Sequence, residues 1–161
     1  MDRTGPSSGI TDNERNDPFE SSHAKRRILI ADDDKVIADS LSIILRKGGF
    51  ETAAVYGGRK AVDLAQQFRP DVLISDVMMP DLNGIEAATR IRAMLPSCRI
   101  ILCSGQAGSD LTRKARMHRG EFEILAKPIH PGKLIDHLRK IAVGFVHPPD
   151  QSDDCAQVFG D

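Results

Sequence analysis

Arg27-Ile28-Leu29-Ile30-Ala31-Asp32-Asp33-Asp34 is a compact apolar run that stops abruptly at three successive carboxylates. Consecutive apolar residues without polar alternation suit a strand covered on both faces, the situation in parallel sheets flanked by helices. Two more runs share the pattern. Val72-Leu73-Ile74-Ser75 is closed by Asp76, and Arg99 to Cys103 is followed by Ser104-Gly105.

Working outward from these runs, amphipathic stretches alternate with them. Lys35 to Lys47 places Val36, Ile37, Leu41, Ile44 and Leu45 at helical spacing, and Gly48-Gly49 ends it. Phe50 to Val55 reads as a weak strand and Gly58 to Phe68 as a helix stopped by Pro70. A loop with Pro80 and Asn83-Gly84 leads to a helix over Ile85 to Leu95. A polar helix is expected from about Ser109 to His118, a fifth strand over Glu121 to Ala126, and a last helix over Pro131 to Phe145. Five strand–helix units in strict alternation predict an α/β fold, because parallel strands need crossover connections. Polar residues in the second strand (Glu51, Thr52) and fifth (Glu121, Glu123) mark them as edges. The expectation is a doubly wound five-stranded parallel sheet of order 2-1-3-4-5, with ligands at the carboxyl ends of the strands beside the reversal point.

The chain has 161 residues, 40% hydrophobic and 28% charged, which suits one ordinary core rather than two. Residues 1–25 and 146–161 lack apolar periodicity and are expected to be a flexible leader and tail around one domain, 26–145. The net charge of −1 carries no electrostatic footprint for bulk nucleic-acid binding, so direct DNA binding is not expected. No apolar run approaches the ~20 residues needed to cross a bilayer, so no membrane role is expected. Three cysteines without C-x-x-C spacing argue against a disulfide framework and for a reducing, cytoplasmic location; Cys103 reads as a small buried hydrophobe.

The predicted topology gathers the polar strand ends. Asp32, Asp33 and Asp34 end the first strand, Asp76 the third, Ser104 the fourth and Lys127-Pro128 the fifth. Crowded carboxylates repel unless protonated or neutralised by a cation, and hard oxygen ligands suit Mg²⁺, with Mn²⁺ as a substitute. A lysine facing them can hold an anion, which makes a phosphoryl site. Taken singly, each residue has a plainer role: Asp34 as cap of the helix at Lys35, Lys127 or Ser104 as solvated strand ends. Coincidence on four strands is the weaker account.

The set Ile-Leu-Ile-Ala-Asp32-Asp33-Asp34, Leu-Ile-Ser-Asp76-Val-Met-Met-Pro80-Asp-Leu-Asn-Gly84, Ile-Leu-Cys-Ser104-Gly and Leu-Ala-Lys127-Pro128 resembles the receiver domain of two-component response regulators, a flavodoxin-like fold. The resemblance covers about Arg26 to Gly144. It implies that Asp76 is the phosphoacceptor and that Asp33 binds Mg²⁺ directly. Asp32 would hold the metal or a metal-bound water, and the Met78 backbone carbonyl would complete the protein ligands. Lys127 would pair with phosphoryl oxygens and Ser104 would be the switch hydroxyl. It further implies a sensor histidine kinase or phosphotransfer protein as donor and an unknown downstream protein as target. The chain would act without its own output domain and would be no enzyme beyond phosphorylation and slow dephosphorylation of itself.

Two departures qualify the match. Many receivers carry an aromatic residue three positions before the lysine, and Ile124 stands there, which argues against switching by aromatic rotation. The fourth helix is rich in basic residues (Arg113, Lys114, Arg116), which reads as a solvated face, with a docking face for an acidic partner as the second choice. The competing classes are a haloacid dehalogenase-like phosphatase and a degenerate receiver that is never phosphorylated. The phosphatase resemblance requires an acid two residues after the nucleophile, where this chain has Met78. All the receiver-type site residues are present, which counts against degeneracy.

Overall fold

The computed structural model describes residues 25–105, 110–118 and 121–143. The expected leader, 1–25, and tail, 146–161, lie outside the described residues except for Lys25, as do Ser109 and the last two residues of the expected final helix.

Five strands alternate with five helices: β1 (Arg27–Ala31), α1 (Lys35–Lys47), β2 (Glu51–Val55), α2 (Gly58–Phe68), β3 (Val72–Asp76), α3 (Gly84–Met94), β4 (Arg99–Ser104), α4 (Asp110–Met117), β5 (Glu123–Ala126) and α5 (Pro131–Val143). The strands form one sheet of order β2-β1-β3-β4-β5, and every pairing is parallel. The order expected from strand polarity is the order found. The fifth strand starts later than expected, at Glu123, because Glu121 lies in the turn that follows α4 and its N–H donates to the His118 carbonyl.

Strand pleating sorts the core into two layers. Leu29, Ala31, Leu73, Ile100 and Leu102 point to one face, where Ala61 and Ala65 of α2, Ala88 and Ile91 of α3 and Ala115 of α4 cover them. Ile28, Ile30, Val72, Ile74, Ile101 and Cys103 point to the other, beneath Ala38 and Leu45 of α1 and Leu134, Leu138 and Ile141 of α5. Alanines predominate where α2 packs on the sheet, so that helix lies close to it. At roughly 25 cal/mol per Å² of apolar surface removed from water, these two layers are the main source of stability.

Local chemistry fixes the helix starts around the future site. Asp34 caps α1, its carboxylate accepting the Val36 and Ile37 N–H groups, as expected from sequence. Asn83 caps α3 by accepting the Glu86 N–H at 3.0 Å. None of the described helices is long and apolar enough to cross a membrane.

Candidate functional site

Register alone brings the strand ends together. Ala31 pairs with Ser75, so Asp32 and Asp76 follow on adjacent strands, while Asp76 pairs with Cys103 and Ser104 with Ala126, one residue before Lys127. Asp32, Asp33 and Asp76 each present a carboxylate oxygen within 4.8 Å of the others. Asp32 is 4% exposed, Asp76 half-buried and Asp33 open to solvent.

Lys127 closes the pocket from the fifth strand. Its Nζ lies 2.9 Å from Asp32 Oδ2 and 3.1 Å from Asp76 Oδ2. The remaining oxygens are also engaged: Asp32 Oδ1 accepts the Asp34 N–H at 2.9 Å, and Asp76 Oδ1 accepts the Met78 N–H at 3.1 Å. Burial pushes the Asp76 carboxyl above its ordinary range; the Met78 amide and the Lys127 ammonium oppose this without cancelling it, and the Asp32 charge adds to it. Desolvation pulls Lys127 down, but bonds to Asp32 and Asp76 outweigh it and hold the ammonium above its usual value. One ammonium faces three carboxylates, so the cluster keeps an excess of negative charge that a divalent cation would balance. An all-oxygen donor set with one exposed carboxylate fits Mg²⁺, which keeps several waters.

The segment from Val77 to Asn83 brings Met78 to the rim. Gly84 is required where it stands: a Cβ there would meet the Asp76 carbonyl at 2.0 Å, and the Gly84 N–H donates to the Val77 carbonyl at 3.0 Å. Ser104, 7% exposed, ends β4, and its carbonyl accepts the Lys127 N–H at 2.9 Å. The loop after it, 106–109, lies outside the described residues. Ile124 is half-buried against the layer containing Ala115 and Phe122. On α4, the exposed Arg113 lies 3.5 Å from Asp110, so part of the basic face is balanced locally.

All four acidic and basic positions expected at the pocket, Asp32, Asp33, Asp76 and Lys127, are thus brought together, and Ser104 and Met78 border it. Sequence reasoning missed Asp81. Its carboxylate accepts the Gly58 and Arg59 N–H groups at 3.1 and 3.0 Å, a contact 23 and 22 residues back in the chain that no local pattern announces.

A parallel sheet of this order with an acid-and-lysine pocket at its reversal point defines the receiver class of doubly wound α/β domains. Residues 28–139 match the model of the response regulator receiver domain. The chain is 31% identical over 118 residues to the chemotaxis protein CheY of Thermotoga maritima, covering 73% of this chain and 98% of that one. It is 31% identical over 115 residues to the DNA-binding response regulator MtrA of Mycobacterium tuberculosis, of which the match spans only 50%. Among solved structures, Vibrio cholerae CheY4 superposes with a TM-score of 0.65 at 29% identity, covering 73% of this chain and 99% of that one. A response regulator from Chloroflexus aurantiacus does so with 0.64 at 29%, covering 74% and 98%. The chain belongs to the response regulator receiver domain family. Receivers are signalling domains of two-component systems that bind Mg²⁺ through an acidic cluster and interact with histidine kinases or phosphotransfer proteins.

Proposed function

We propose that this chain accepts a phosphoryl group on Asp76 from a phosphohistidine of a sensor histidine kinase or phosphotransfer protein, and signals by protein contact. The observation that carries the reading is the meeting of Asp32, Asp33 and Asp76 in one pocket with Lys127 3.1 Å from Asp76. Asp33, Asp32, Asp76 and the Met78 backbone carbonyl would hold Mg²⁺, or Mn²⁺ in its place. When bound, the ion supplies the positive charge that lets an anionic donor approach a cluster of carboxylates.

The residues of the chain then do the following. The Met78 N–H holds one oxygen of Asp76 and so fixes the orientation of its carboxylate. A carboxylate oxygen of Asp76 bonds to phosphorus as the phosphorus–nitrogen bond breaks, and the electron pair of that bond leaves with the imidazole. Lys127 exchanges a carboxylate partner for a phosphoryl oxygen, which costs little because both partners are anionic. Ser104, at the end of the strand beside Asp76, offers its hydroxyl to the same group. Attack of water on the acyl phosphate later restores the carboxylate. While the acyl phosphate lasts, α4 and β5 take the other of two conformations. Ile124 makes backbone displacement the readout rather than rotation of an aromatic ring.

The proposed downstream partner is a protein and the proposed output involves no direct DNA contact, in line with the near-complete overlap with a CheY and the net charge of −1. The proposed location is the cytoplasm, where unpaired buried thiols such as Cys98 and Cys103 are usual.

Acetyl phosphate with Mg²⁺ is expected to add one phosphoryl group, seen by intact mass, and Asp76→Asn to accept none. Labelling that survives in Asp76→Asn, or that does not need a divalent ion, overturns the assignment.

A further inference from the structure

The first turn of α2 has N–H groups that its own segment does not satisfy: Gly57 stands at the cap position and has no side chain to offer. The acceptor comes from the loop after Asp76. Asp81 Oδ1 accepts the Gly58 N–H at 3.1 Å, and Oδ2 accepts the Arg59 N–H at 3.0 Å. The loop approaches both glycines at the start of α2 closely. A Cβ at position 57 would lie 2.8 Å from Asp81 Oδ2, and one at 58 would lie 2.1 Å from the Leu82 carbonyl oxygen. Desolvation raises the Asp81 carboxyl, yet the backbone amides of Arg59, Leu82 and Gly58 outweigh it and hold the group below its ordinary range.

The same loop is anchored at its base, where Gly84 packs on the Asp76 carbonyl and its N–H donates to the Val77 carbonyl, so that Val77 is held as well as Asp81. Between these two anchors lies Met78, whose N–H already orients the Asp76 carboxylate. A loop held at one end only would let the Met78 carbonyl wander, and binding would then have to pay for ordering it.

We propose that Asp81 is a positioning residue: by capping α2 from a distance it locks the 77–83 loop so that the Met78 carbonyl is preset toward the divalent ion. The proposal rests on the metal role given to Met78 above.

The test is a Mg²⁺ titration of the full chain followed by backbone amide resonances, for wild type, Asp81→Ala and Asp81→Asn. Alanine is expected to weaken Mg²⁺ binding about threefold to tenfold, the effect of losing a helix cap that keeps the competent loop populated. Asparagine keeps the shape with one accepting oxygen and should fall between. Labelling by acetyl phosphate should need correspondingly more Mg²⁺ but reach a plateau rate within about twofold of wild type, since saturating Mg²⁺ repopulates the competent loop and the strand end that carries Asp76 is not displaced. Unchanged Mg²⁺ affinity in both variants overturns the proposal, as does a lowered plateau rate at an unaltered Mg²⁺ requirement. If the alanine variant does not fold, the asparagine variant decides alone by the same criterion. Wild type that shows no Mg²⁺ binding overturns the metal reading itself, an outcome distinct from equal affinities.

Discussion

Lys127 Nζ stands 2.9 Å from Asp32 Oδ2, a pair drawn from opposite ends of the domain and buried on the aspartate side. With Asp76 3.1 Å from the same nitrogen, the lysine acts as the internal counterion of the acidic pocket. Its replacement leaves two desolvated carboxylates facing each other.

Lys127→Ala is therefore expected to lower stability by about 1–3 kcal/mol, toward the lower end because the lysine side chain is 24% exposed. Added Mg²⁺ should raise the melting temperature of the variant more than that of wild type, because a cation then takes over the neutralisation. Thermal melts with and without Mg²⁺ measure both. Equal Mg²⁺ responses would show that the ammonium and the ion do not share a role.

Asp76→Asn addresses the opposite charge. The carboxyl of Asp76 is pushed up by burial against the pull of Met78 and Lys127. A group that holds its proton more tightly when folded costs stability as pH rises through the window above its unfolded value, and the deficit persists beyond that window. The neutral asparagine avoids it, and Lys127 keeps Asp32 as partner. In metal-free buffer the variant should melt a few degrees above wild type near pH ~7.5, with the gap closing as pH falls toward ~4. A variant less stable than wild type throughout would mean that the lost Lys127 bond outweighs the relieved burial.

How far the site could be read in advance depended on the range of each interaction. Asp34 as a helix cap, Cys103 as a core residue and the two edge strands follow from local pattern, and the pleat turns Ile28-Leu29-Ile30 into two buried faces without further information. Lys127 could be placed only after the sheet order was deduced, since nothing near it in the chain hints at Asp32. Asp81 escaped because Pro80-Asp81 looks like any turn, and its partners Gly58 and Arg59 lie on another crossover. The late start of β5 escaped because Glu121 and Phe122 fit a strand in composition, while their N–H groups are taken by the His118 carbonyl.

Cys98 and Cys103 should be chemically silent in the native protein. Both are 3% exposed or less, and burial pushes each thiol up to about 12, so almost no thiolate is present at neutral pH. In a Cys155→Ser background, a thiol reagent at pH ~8 is expected to modify neither residue until denaturant is added. Rapid modification of the native chain would show that the β4 layer opens far more readily than its packing suggests.

Gly84→Ala probes the junction where the phosphoacceptor strand becomes the metal loop. The added methyl would sit 2.0 Å from the Asp76 carbonyl oxygen, and since the obstacle is backbone rather than a side-chain tip, the strand end or the start of α3 must shift. Overpacking against such an obstacle costs about 1–3 kcal/mol, and sometimes more. Either displacement also disturbs the Gly84 N–H bond to Val77, and with it the position of the Met78 N–H that orients Asp76. The variant should therefore lose melting temperature and, while still folded, label more slowly with acetyl phosphate at saturating Mg²⁺. That second loss separates Gly84, which moves the nucleophile itself, from Asp81, whose removal is expected to spare the plateau rate. Normal stability and labelling in Gly84→Ala would mean that the strand end yields freely, and the close approach would then have no part in holding Asp76.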